Sequence, residues 1–99
     1  MVKLVWTEVS RDDLKEIFDF IAQDSSRYAS ITVNKIYQRA QLLIDNPSLG
    51  RIVPEFNEKT LRELIIGNYR IVYRIISEFQ VDILRIYHSA RSLSDDSLK

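Results

Sequence analysis

Three side chains in the second half of the chain have types that together could cleave a phosphodiester. They are Glu55 in "VPEF", Arg70 in "NYRIVYRI" and His88 in "ILRIYHSAR". A carboxylate can take the proton from a ribose hydroxyl, and an arginine can hold the scissile phosphate. A histidine titrates near neutrality and can protonate the leaving oxygen. The same residues have a structural alternative. His88 would be a hydrogen-bonding residue at a strand end, and Arg70 one of several cations on a solvated sheet face. Sequence spacing alone does not choose between them.

Other chemistries find little material. The chain has one histidine and no cysteine, which excludes multi-histidine and thiolate metal sites as well as disulfides. It shows no P-loop, dinucleotide fingerprint, nucleophile elbow or metal-ligand motif. We therefore expect no metal and no cofactor.

The elements that must position these residues follow from periodicity. "VKLVWT" alternates and reads as a short strand. "SRDD" offers Ser10 as the N-cap of a first helix running to about Gln23, with Leu14, Ile17, Phe18 and Ile21 at helical spacing. "DSS" caps a second helix, and Asn46–Pro47 stops it, because the residue before a proline leaves the helical region. The turn between the helices is very short, so they are antiparallel neighbours. "TLRELII", "YRIVYRII" and "VDILRIYH" form a three-strand meander, with a two-residue turn at Gly67–Asn68. "IVPEF" is too short and proline-broken for a central strand, and "SARSLSDDSLK" is a polar tail with room for one helical turn. The expected class is α+β, an N-terminal strand and a helical hairpin packed on one curved antiparallel sheet.

Alternation puts Tyr69, Ile71, Tyr73 and Ile75 on the face toward the helices, and Arg70, Val72, Arg74 and Ile76 on the other. Pairing Ser77 with Gln80 sets Tyr73 opposite Leu84 and Ile71 opposite Ile86. Asp82, Leu84, Ile86 and His88 then lie on the helix side. Val81, Ile83, Arg85 and Tyr87 lie with Arg70 and Arg74 on an open, solvated face, with Glu63 beside them. Arg62 is expected to anchor a helix acid or a carbonyl. Arg62, Arg74, Arg85, Tyr87 and Arg91 are also candidate contacts for a target or partner. Trp6, Phe18, Phe56 and Phe79 exceed what a small core needs, a surplus that a segment folding on binding could cover.

At 99 residues the chain is expected to be a single domain, residues 1–99. Formal net charge is zero, which weighs against a general nucleic-acid coat. Charge is uneven, however: Arg11–Asp24 holds five acids and two bases, and Thr60–Arg91 five arginines and three acids. Such asymmetry can steer a partner. No stretch approaches the length of a membrane-spanning helix, and the N-terminal apolar run is too short for a signal peptide, so a cytoplasmic protein with no membrane contact is expected.

The ordered set "WTEVSRDDLKEIFDFIAQDS", "NPSLGRIVPEF", "LREL", "NYRIVYRI" and "ILRIYHSAR" resembles the RelE/ParE superfamily of small bacterial toxins, over nearly the whole length. The resemblance implies the toxin of a type II toxin–antitoxin module, of the plasmid-stabilization kind, inhibited by a ParD-like or RelB-like cognate antitoxin. It also implies the same fold. The RelE-like branch cuts mRNA on the ribosome, is usually strongly basic and often carries a tyrosine near its C-terminus. This chain is neutral and has no tyrosine after Tyr87. YoeB-like toxins use a glutamate, an arginine and a histidine, and Glu55, Arg70 and His88 stand at similar positions. The ParE-like branch poisons DNA gyrase and has no established catalytic residues. "HSAR" and the long second helix look most like that branch. The resemblance thus favours a gyrase-directed toxin, with a ribosome-dependent endoribonuclease as the alternative, and leaves enzymatic activity open.

Overall fold

The computed structural model describes residues 1–89. The element order is β1 (Lys3–Trp6), α1 (Glu8–Ala22), α2 (Ser26–Gln41), a 3₁₀ turn (Leu42–Ile44), β2 (Arg51–Ile52), β3 (Leu61–Ile66), β4 (Tyr69–Ser77) and β5 (Gln80–His88). The strands form one mixed sheet in the order β1-β5-β4-β3-β2. The β3–β4–β5 meander is antiparallel as expected, while β1 runs parallel to β5 and the two-residue β2 pairs with β3 at the other edge. This is the α+β architecture read from the sequence. Arg91 and the polar tail lie outside the described residues.

Thr7, not Ser10, caps α1. It is extended, and its hydroxyl oxygen accepts from the Ser10 amide at 3.1 Å. Both residues are good caps by type, and a tertiary contact selects Thr7. Its hydroxyl also donates to the Ile83 carbonyl at 2.8 Å, fastening the start of α1 to β5. Ser10 is instead buried in the first turn, donating to the Thr7 carbonyl at 2.8 Å. Ser25 caps α2 as expected, accepting from the Tyr28 amide at 3.1 Å.

Ser77 does pair with Gln80 and Ile71 with Ile86, but Tyr73 faces Ile83 rather than Leu84, because the β4–β5 ladder shifts register twice, between Val72 and Tyr73 and between Ile75 and Ser77. One extra residue in a strand exchanges its faces, and here the exchange lasts only from one shift to the other. Val81 and Ile83 therefore join the helix-side core, while Leu84 packs on the opposite side and Asp82 sits across from Arg74. One of the shifts falls where the strand's outer neighbour changes. β1 ends at Trp6, opposite Ile83, and beyond that point α1 takes over its role. Asp13 Oδ2 accepts the Ile86 amide at 2.9 Å.

The helix side of the sheet is apolar. Ile36, Ala40 and Leu43 meet Leu64, Ile71, Tyr73, Val81, Ile83 and Ile86, all essentially inaccessible. Tyr73 carries its hydroxyl to the rim, where it donates to the Pro47 carbonyl at 2.7 Å and accepts from the Gly50 amide at 2.9 Å. A Cβ at Gly50 would stand 2.5 Å from the Glu63 carbonyl oxygen, so only glycine lets this loop close on the sheet.

The other side is not open. The loop after β2 folds over it, held by the Val53 amide on the Leu61 carbonyl at 3.1 Å. Val53, Leu61, Val72 and Tyr87 make a second small core, with Phe56 and Leu84 against it. Of the expected aromatic surplus, Phe56 is used here, and Trp6 stacks on Tyr37 at 5.8 Å. Phe79 stays 69 % exposed. Phe20 and Tyr28 are exposed at 71 % and 61 %, and Ala29 rather than Tyr28 takes the buried place on α2.

Candidate functional site

Arg70 lies on β4, on the loop-covered side, and is 5 % exposed. Its Nε donates to Glu63 Oε1 at 2.7 Å. Nη1 and Nη2 donate to the two oxygens of Glu55, each at 3.0 Å, in a fork-to-fork pair. Glu63, on the neighbouring strand, has a fully buried side chain. Its second oxygen accepts from Arg51 Nε at 2.6 Å, and the Arg51 side chain is 64 % exposed. The chain Arg51–Glu63–Arg70–Glu55 thus runs from solvent into the sheet and back to the covering loop. The Glu55 hydrogen bonds raise the Arg70 pKa further above its ordinary value, outweighing burial. Each charge alone would be costly at this depth, but paired and hydrogen-bonded they are tolerated. The sequence placed Glu63 beside the arginines correctly; its burial needs the loop, which alternation cannot show.

His88 sits elsewhere. It is opposite Tyr69 in the β4–β5 ladder, and their rings meet edge to face at 6.1 Å. Tyr69 belongs to the helix side, and His88 lines a cavity of about 350 Å³ there with Ile17 and Phe20 of α1. The structure therefore brings Glu55 and Arg70 together and sets His88 on the opposite face of the sheet.

The remaining candidates separate. Arg85 stands opposite Val72 in the β4–β5 ladder, on the same side of the sheet as Arg70, but its side chain turns to the strand edge. It reaches α1, where Nε and Nη2 bind the two Asp13 oxygens at 2.8 and 3.1 Å. That pairing raises its pKa, and the guanidinium also lies 4.8 Å from the Tyr87 ring centroid. Tyr87 is 3 % exposed and belongs to the second core. Arg74 approaches Glu58 at 3.3 Å on the surface. Arg62 donates to the Lys59 and Gly50 carbonyls, each at 2.9 Å, so of its two expected partners it takes carbonyls, both in loops. Sequence reasoning missed Asp13 and Arg51. Asp13 was visible only as one of several acids on α1, and its partner lies 72 residues away. Among the described residues no three potential metal ligands converge.

Comparison with known proteins fits this geometry. Residues 4–93 match the family described as the ParE toxin of the type II toxin–antitoxin system, parDE. The chain belongs to the ParE toxin family. It is also 32 % identical over 91 residues to Toxin RelE2 of Caulobacter vibrioides, covering 92 % of this chain and 99 % of that protein. Two solved structures share the fold. One is from the chromosomal ParDE system of P. aeruginosa, with a TM-score of 0.74, 23 % identity and coverage of 89 % and 96 % of the two chains. The other is from the toxin–antitoxin complex RelBE2 of Mycobacterium tuberculosis, with a TM-score of 0.62, 24 % identity and coverage of 88 % and 96 %. This ParE-family chain is thus a type II toxin of the wider RelE/ParE superfamily.

Proposed function

We propose that this ParE-family chain inhibits growth by poisoning DNA gyrase, acting as one domain in the cytoplasm and neutralised by a cognate antitoxin. The observation that carries the reading is the engagement of Arg70. Its guanidinium, the side chain best suited by position to hold a scissile phosphate, is buried and bound by the carboxylates of Glu55 and Glu63. An anion would have to displace Glu55, and a general acid at His88 would lie across the sheet. Both features favour action by binding over phosphodiester cleavage. The match to the ParE family supports the same target. The antitoxin is supported by the two structural neighbours, which come from toxin–antitoxin systems. Among the described residues no helix is long and apolar enough to cross a membrane, in keeping with a soluble target.

A second reading, ribosome-dependent mRNA cleavage, has the adjacency of Glu55 and Arg70 and the likeness to a RelE-named relative in its favour. Purified protein assayed in parallel for gyrase-dependent DNA cleavage and ribosome-dependent transcript cleavage separates the two. We expect cleaved DNA and intact transcripts; the reverse outcome overturns the gyrase assignment.

A further inference from the structure

The helical hairpin and the β3–β4 turn enclose a hollow of about 340 Å³, a volume within the range of small-molecule sites. Each element contributes to its apolar floor: Ile21 from α1, Ile36 from α2 and Ile66 from β3. Tyr28, 61 % exposed, adds an aromatic ring to the wall. Polar side chains are few. Besides the tyrosine hydroxyls they are Lys35 and Thr32 of α2 and Asn68 of the turn. No carboxylate lines the hollow, and Lys35 forms no ion pair among the described residues. An apolar concavity with a small number of polar groups is the usual build of a site for a small organic molecule.

The single ammonium sorts the possible ligands. An organic cation would be repelled by Lys35. A phosphate monoester carries more than one negative charge near neutrality, and here it would meet one cation and set its remaining charge against isoleucines. A neutral apolar molecule would use the floor but gain nothing from Lys35. An apolar body bearing one carboxylate or sulfonate uses both. The isoleucines and Tyr28 take the body, Lys35 takes the charge, and the Thr32 hydroxyl and Asn68 amide are donors for the other anionic oxygens.

We propose that this hollow binds a small organic monoanion with an apolar body, of the class of aromatic and medium-chain carboxylates. Lys35 is its charge contact and Tyr28 its ring contact. The site is independent of the choice between gyrase and ribosome, and its test uses neither.

Full-length protein is titrated with anilinonaphthalenesulfonate and with phenylnaphthylamine, the same ring system without the sulfonate, each followed by its own fluorescence. Saturable binding of one sulfonate per chain is expected, about fivefold tighter than the neutral probe, the scale of one well-formed exposed ion pair. Decanoate should displace the sulfonate. Lys35→Gln should remove the preference and leave the neutral probe unmoved, while Lys35→Arg should keep it. Tyr28→Ala should weaken both probes about fivefold. Lys59→Gln, at an exposed lysine outside the hollow, should change neither. No saturable binding, equal affinity for the two probes, or failure of decanoate to compete overturns the proposal. So does a preference that Lys59→Gln reduces as much as Lys35→Gln, or that Lys35→Arg fails to keep.

Discussion

The two sides of the sheet solve the same problem with different materials. Toward the helices, burial is done by aliphatic side chains and Tyr73, so the hydrophobic effect is the main term in their association. Toward the loop, an apolar floor of four buried residues is too small to hold the covering segment alone. The Arg51–Glu63–Arg70–Glu55 chain supplements it by tying β2, β3, β4 and the loop together. An apolar side tolerates substitution in proportion to volume lost. A side built on buried charges fails when one member is removed, because its partner remains buried and unpaired.

That contrast sets the order of expected effects. Glu63→Ala should cost the most, about 3–5 kcal/mol, because it removes the buried carboxylate between Arg70 and Arg51 and leaves the Arg70 Nε–H without its acceptor; urea unfolding measures it, and a loss under about 1 kcal/mol would show the site to be hydrated. On the apolar side, Ile36→Ala, at a residue 1 % exposed, should cost about 2–5 kcal/mol according to how far the site collapses. Tyr73→Phe should cost about 1–2 kcal/mol at neutral pH, since the Gly50 amide loses its acceptor. Its pH dependence is a separate test. Burial raises the Tyr73 pKa above the ordinary value of 10.0. Wild-type stability linked to this group is therefore fully present below about pH 10 and is lost as pH rises through the folded-state value. Tyr73→Phe should remove that alkaline decline; an identical slope in both proteins would show that Tyr73 does not cause it. Arg74→Ala should cost least, under about 1 kcal/mol, because its pair with Glu58 is exposed; a larger loss would extend the charged cluster to the sheet's rim.

Alternation along β4 showed which of its residues face the helices, and the turn at Gly67–Asn68 was legible because glycine there takes a φ of +55°. The first half of β5 was not legible. Its bulge lies where α1 replaces β1 along the strand edge through Thr7 and Asp13, and those contacts join residues more than 70 positions apart. The covered face was hidden for a similar reason. "VPEF" reads as a broken strand, and only in space does it become the lid that turns a solvated Glu–Arg pair into a buried one. Arg85 follows from the same edge: a strand residue expected among the open-face cations is drawn to Asp13.

We propose that Arg70 serves the fold by holding Glu63 and Glu55 rather than a ligand. A double-mutant cycle with Glu63→Gln, Arg70→Met and the pair together, read by urea unfolding, tests it most directly. The double variant is expected to be less destabilised than the two single losses added, with a coupling of about 1–3 kcal/mol. Additive losses, with growth inhibition abolished by Arg70→Met at unchanged stability, would contradict it.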